Sequence, residues 1–196
     1  PQPVTTPREL AERMARLTHL VRDIIVTSFK AKRASKLLTG WRKAFAEVLV
    51  ADLEKPDHVG QFADMFAQTL AYGLFSARIR HKKGAFTRRE AQGLIPRTNP
   101  FLRDFFSYIT GLQLDDEPYV GLVEDLVQLL AIADMEAILE DFGRRTRQDD
   151  PTVHFYETFL VAYDPELRKR RGVFFTPNPI VSFIVRSVDI LLKEKF

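Results

Sequence analysis

The chain has 196 residues, 45% of them hydrophobic and 28% charged, with 16 phenylalanines and a formal charge of only +3 despite a pI near 9.2. That is the composition of a globular protein, and at this length roughly 70% of the unfolded chain's surface is buried on folding. The small net charge gives no global argument for nucleic-acid binding. The lack of cysteine removes disulfides, thiolate zinc sites and thiol nucleophiles and fits a reducing cytoplasm, and no apolar run approaches the ~20 residues that span a bilayer.

Pro1-Gln2-Pro3 opens the chain without a methionine and Phe196 ends it inside a helical pattern, so a segment of a larger protein is expected. No signal peptide is visible. After a lead-in to Thr6, that threonine caps a helix with Pro7 at its first position and Glu9 in an acidic first turn. Leu10, Met14, Leu17, Val21, Ile24 and Ile25 recur at helical spacing, which carries it to about Lys30. A second helix starts near Ser35 and buries Leu38, Trp41, Phe45, Val48 and Leu49. The short connection predicts antiparallel packing of the two.

Asp57 reads as the cap of a third helix, running through Phe62, Phe66, Leu70 and Leu74 to about Ile79. Its exit, Arg78 to Gly84, is basic and ends in glycine. Cations at a helix C-terminus offset the dipole; the same residues, with Arg88 and Arg89, also suit a phosphate-contacting patch. Thr87-Arg88-Arg89-Glu90 has capping-box spacing and predicts a short helix to Leu94. Asn99 caps the next helix, Pro100 is its first residue, and Leu102, Phe105, Phe106 and Ile109 form its apolar face.

Asp115-Asp116-Glu117-Pro118 reads as an acidic helix start. The series Leu122, Leu126, Leu129, Leu130, Ala133, Ala137 and Ile138 then predicts one helix to about Phe142, roughly 35 Å long. The polar run from Gly143 through Arg144, Arg145 and Arg147 to Asp150 is the clearest break. It divides the chain into a helical domain over 1–143, a linker over 144–150 and a second unit over 151–196. In that unit Asp150-Pro151 caps a helix carrying Val153, Tyr156, Phe159, Leu160 and Tyr163. Asp164-Pro165 caps a short basic helix ending at Gly172, and Val173 to Phe175 is extended. Thr176 caps a last helix whose apolar residues, from Ile180 to Leu192, cover more than half its circumference; such a helix is normally covered on more than one side.

Histidines 19, 58, 81 and 154 have no partner at metal-ligand spacing, and first-turn acidity explains Asp115 and Asp116 better than a metal does. No nucleophile elbow or phosphate loop is present. Lys193-Glu194-Lys195 echoes half of a nuclease signature without its acid-bearing strand. The fold expected is all-α, a bundle-like domain with long amphipathic helices.

Three phrases carry a resemblance. Gly172-Val173-Phe174-Phe175-Thr176-Pro177, followed by Val181 and Ile184, resembles the opening segment of the adenine-specific DNA methyltransferases of restriction-modification systems. His154-Phe155-Tyr156-Glu157 with Tyr163-Asp164-Pro165-Glu166-Leu167-Arg168, and the run from Phe62 to Phe75, are similar to that family's large multidomain members. What the resemblance implies is methyl transfer from S-adenosylmethionine to the exocyclic amine of adenine. Val173, Phe174, Phe175, Thr176 and Pro177 would contact the methionine end of the cofactor, at a helix start whose free N–H groups suit a carboxylate.

The family's glycine-rich cofactor loop and its Asn/Asp-Pro-Pro-aromatic catalytic tetrapeptide come after this element and are not among the 196 residues. Asn99-Pro100-Phe101 lacks the second proline. The segment alone is therefore not expected to catalyse transfer. The resemblance leaves a second role open, a non-catalytic helical coupler linking helicase or nuclease modules to the methyltransferase, with Lys82, Lys83, Arg88, Arg89, Arg144, Arg145 and Arg147 following the backbone of double-stranded DNA. A helix-turn-helix regulator is a third, disfavoured by the loose spacing of the Thr87 to Ile109 pair.

Overall fold

Where each helix begins is written in the residues before it. In the computed structural model, which describes residues 3–82, 84–94, 99–146, 151–166 and 178–195, Thr6, Ser35, Thr87 and Asn99 each accept a hydrogen bond from the backbone N–H of the third residue of the helix that follows. Among the described residues there are nine α-helices and no strand. They are α1 Pro7–Lys30, α2 Lys36–Val48, α3 Val59–Arg80, α4 Arg88–Gly93, α5 Pro100–Thr110, α6 Val120–Ile132, α7 Met135–Thr146, α8 Pro151–Tyr163 and α9 Asn178–Lys195, with 3-10 turns at Ala51–Glu54, Pro56–His58 and Leu112–Asp116.

Helix α3 is the axis of the body. It packs on α1, α4, α5, α6 and α8, and it buries Phe62, Phe66, Leu70, Leu74 and Phe75 together with the small residues Ala63, Ala67, Ala71, Gly73 and Ala77. A helix apolar around most of its circumference must be enclosed. The small residues let its neighbours come close. Phe106 of α5 lies against Gly73, where an added Cβ would fall 1.6 Å from the ring.

Aromatic rings lock α2, α3 and α5 together. Phe45 meets Phe62 at 5.7 Å, Phe105 at 5.5 Å and Phe101 at 5.0 Å, all edge to face, and Phe66 meets Phe105 at 5.0 Å with the rings at 89°. Trp41 closes the group against Phe105 and Tyr108. Such edge-to-face pairs add to the ~1.5–3 kcal/mol that burying each ring supplies.

Several expectations change, among them the burial of Val48 and Leu49, which are 53% and 50% exposed. Helix α1 packs chiefly on α8, α3 and α6 and meets α2 near its last turn, where Arg42 lies 5.1 Å over Phe29. Asp57 falls within a 3-10 turn and caps nothing. Asp115 and Asp116 close another 3-10 turn, and α6 starts only at Val120.

The long helix predicted from Leu122 to Phe142 is broken between α6 and α7. Ala133 is extended, Asp134 accepts from the Ala137 N–H at 3.0 Å, and the Asp134 N–H donates to the Val4 carbonyl at 2.9 Å. Periodicity continues through the break because both helices face the same core. Helix α8, expected to open a second unit, likewise packs on α1, α3 and α7; of the run 144–150 between them, residues 147–150 lie outside the described residues.

Gly73→Ala drives a methyl group into the buried Phe106 ring and is expected to destabilise the protein by about 1–3 kcal/mol. Gly60→Ala, in the same helix but facing open space, is expected to change stability by no more than about 1 kcal/mol in the stabilising direction. Urea unfolding of the two variants checks the contrast.

Candidate functional site

Two of the three phrases that carry the resemblance face each other. The Phe62 to Phe75 run lies on α3 and the His154 to Tyr163 run on α8. Phe75 and Phe155 stack at 3.7 Å with 19° between the rings, and Tyr72 meets Tyr156 at 4.9 Å. At the far end of α8 the Tyr163 hydroxyl donates to Asp64 Oδ1 at 2.8 Å, while Arg22 Nε of α1 sits 2.9 Å from the same oxygen. His19, also on α1, stacks flat on Tyr163 at 4.1 Å, and its Nε2 donates to the Tyr163 carbonyl at 2.8 Å. The two phrases thus form one interface, apolar at the Phe75 end and polar at the Tyr163 end.

Val173, Phe174, Phe175, Thr176 and Pro177 lie outside the described residues. Helix α9 starts just after them, at Asn178. Its nine large apolar side chains, from Ile180 to Leu192, remain between 41% and 72% exposed. The described part of the chain therefore leaves uncovered the broad apolar surface that the sequence assigns to this helix.

The basic residues separate by what they touch. Arg88 is only 14% exposed along its side chain and binds two carboxylates, Glu124 at 2.9 Å through Nε and Asp115 through Nη2. Arg78 donates to the Leu130 carbonyl at 2.8 Å, in the last turn of α6, and stands 5.7 Å over Phe86. His81 meets Glu90 at 3.1 Å, tying the end of α3 to α4. Lys82 and Arg89, the neighbours of that pair, are exposed and unpaired among the described residues. Arg144 and Arg145 fall on the last turn of α7, and Lys83 and Arg147 lie outside the described residues.

Sequence reasoning missed the cations used inside the body. Arg42, 9% exposed, donates to the Leu53 carbonyl at 2.7 Å and to the Lys55 carbonyl at 2.6 Å. Its position gave the signal: Leu38, Arg42 and Phe45 share one face of α2, and a cation among apolar residues has to find acceptors. His19 and Asp64 carried no such local sign. Among the described residues no three His, Asp or Glu side chains group as a metal site, and no helix is long and apolar enough to cross a membrane.

Three tyrosines are buried with their hydroxyls paired. Tyr108 and Tyr119 bond each other at 2.9 Å, and Tyr163 bonds Asp64. Burial above all raises each phenol well above its ordinary 10.0; the Tyr119 hydroxyl pulls Tyr108 back down while Glu117 adds to the rise, Tyr108 and Glu117 both push Tyr119 up, and Asp64 pushes Tyr163 up. No family model, curated protein or solved structure matches the chain.

Because each folded value lies above the unfolded one, the stability tied to these phenols is complete below about pH 10 and is lost as the pH rises beyond it. Thermal midpoints measured from about pH 8 to 11.5 are expected to fall across the upper part of that range. The fall should be shallower in a variant with Tyr108 and Tyr119 both replaced by Phe.

Proposed function

We propose that the chain is the helical domain and first cofactor-contacting segment of an adenine-specific DNA methyltransferase of the restriction-modification type. The observation that carries this reading is the meeting of two of the resembling phrases. Residues from Phe62 to Phe75 and from Phe155 to Tyr163 interlock ring on ring and hydroxyl on carboxylate. The third phrase follows directly along the chain, so the phrases fit one functional unit better than three chance likenesses.

In that reading the reaction moves a methyl group from S-adenosylmethionine to the exocyclic amine of an adenine turned out of the duplex, since the amine is out of reach within the stack. The aromatics Phe174 and Phe175 give the cofactor apolar cover. The Thr176 hydroxyl and the start of α9 receive the methionine carboxylate. The uncovered apolar surface of α9 is consistent with a helix that packs on a catalytic sheet supplied by further chain. The chemistry itself needs the cofactor loop and catalytic tetrapeptide that these residues do not include.

The coupler reading is supported by Lys82 and Arg89, which are exposed and adjoin His81 and Glu90 in sequence. It is compatible with the first, because a coupler can precede a methyltransferase. Arg88 contributes little to it, being neutralised by Asp115 and Glu124.

Calorimetry on a protein extended through the catalytic sheet checks the cofactor assignment. Phe175→Ala and Thr176→Ala are each expected to weaken S-adenosylmethionine binding about tenfold or more, and unchanged affinity in both would refute it. The DNA role is read from duplex binding over a salt series starting near 50 mM. Arg89→Ala is expected to reduce the slope of log K against log salt by about 1, while Arg88→Ala leaves the slope unchanged and lowers the melting temperature.

A further inference from the structure

The small net charge hides one strongly positive stretch. Between Asp23 and Glu47 the sequence holds six cations and no acid, whereas in the rest of the chain acids outnumber bases by three. Arg42 is engaged by the Leu53 and Lys55 carbonyls, and Lys43 lies 3.8 Å from Glu47. That leaves Lys30, Lys32, Arg33 and Lys36, four cations within the seven residues that turn α1 into α2. All four are exposed and unpaired among the described residues. The acids that border the turn do not answer them. Asp23, which shares a cleft with Arg33, pairs with Arg22 at 2.8 Å. Glu117 is buried and accepts from the Ser35 hydroxyl, and Asp116 beside it in sequence forms no ion pair with the four.

Two of these lysines stand where folding alone selects something else. Helix α1 ends with the Arg33 N–H donating to the Ser28 carbonyl at 2.8 Å and the Lys32 N–H to the Phe29 carbonyl at 3.0 Å. In that helix ending one residue takes left-handed backbone, a place glycine fills without steric cost. Lys32 takes it here, with φ at 55°. Its exposed side chain returns no packing for the strain. Lys36 is the first residue of α2, whose first turn holds no acid, and a cation at that end opposes the helix dipole. Positive charge placed against local preference marks a surface kept for a partner rather than for the fold.

The turn is also held in one shape. Ser35 caps α2 through the Leu38 N–H and is fixed in turn by Glu117, while Arg42 over Phe29 ties α2 to the last turn of α1. A fixed backbone leaves less to be ordered on binding. The aromatic rings of the stretch face inward: Phe29 meets Phe62 edge to face, and Trp41 packs on Phe105 and Tyr108. No ring is left on which an unpaired base can stack. From Lys30 to Lys43 the one exposed large apolar residue is Leu37, too little to enter a lipid interface. Contact with phosphates needs only the charge.

We infer that Lys30, Lys32, Arg33 and Lys36 form a sequence-independent contact surface for the phosphate backbone of a nucleic-acid duplex. This surface is independent of the cofactor assignment and of Lys82 and Arg89, and it adds a further set of phosphate contacts to the coupler reading.

Binding of the full chain to DNA duplexes of two unrelated sequences, measured from about 50 to 200 mM salt, tests it. Lys32→Gly is expected to flatten the slope of log K against log salt by about 1 on both sequences. The same variant should melt at a higher temperature, because glycine relieves the left-handed backbone. Weaker binding in a more stable protein cannot come from damage to the fold. Adding Arg33→Gln and Lys36→Gln should flatten the slope by about 3. Lys55→Gln, which removes a lysine paired with Asp52 at 2.9 Å, leaves it unchanged.

An unchanged slope in Lys32→Gly and in the triple variant overturns the surface, even where Arg89→Ala still reduces it. So does a wild-type protein that binds neither duplex at about 50 mM salt. Tighter binding to vesicles of phosphatidylcholine and phosphatidylserine than to duplex, lost in the triple variant, overturns it as well and assigns the turn to a membrane surface. If the triple variant does not fold, Lys32→Gly still decides.

Discussion

The enclosure of α3 is the constraint on which the rest of the structure depends. Helix α3 interleaves phenylalanine and leucine with alanine and glycine over more than half its circumference and keeps only a part-buried stripe at Gln61, Asp64, Gln68 and Ser76 toward water. It is stable only when surrounded, and the other helices take their places around it. The alternation of sizes then decides how near each neighbour comes. Phe106 reaches Gly73 because nothing projects there. On the same face, two and three turns earlier, Phe66 and Phe62 project into the ring cluster built with Phe45 and Phe105. Close-packed interiors tolerate little change in volume, so this axis fixes the arrangement of α2, α5 and α8 together.

Around that axis the cations do structural work that composition does not reveal. Arg42, Arg78 and His19 each donate to a carbonyl at the end of a helical turn contributed by another part of the chain. These are the groups a helix leaves unpaired, at the negative end of its dipole. Arg88 holds Asp115 and Glu124 in the same spirit, joining α4 to the turn before α6 and to α6 itself. A basic stretch in the sequence is thus divided by the fold. Some of its charges close helix ends, and only those left facing water, such as Lys82 and Arg89, remain available to a phosphate backbone.

The phrases that resemble a methyltransferase are interface residues, and their identities have physical reasons: stacked rings where α3 and α8 touch, a phenol and a carboxylate where α8 ends. Helix α9 is apolar over most of its surface and uncovered by the described residues. Apolar residues of α1 to α8 enclose a common core, whereas the large apolar residues of α9 are at least 41% exposed.

The sequence by itself determined the helical class, most helix positions and four helix starts, because those follow from local chemistry. Thr6, Ser35, Thr87 and Asn99 cap through contacts three residues away, and 3.6-residue periodicity reports which face turns inward. The Phe-Thr-Pro element lies outside the described residues. The tertiary structure alone decided the break at Ala133 and Asp134, where a carbonyl from Val4 takes the backbone donor, and the pairing of α1 with α8 rather than α2. It alone also brought His19, Arg22 and Asp64 to Tyr163. The physical reason is common to all three: each depends on partners distant in sequence, and a periodic pattern records that a residue faces a core without recording which residues face it in return.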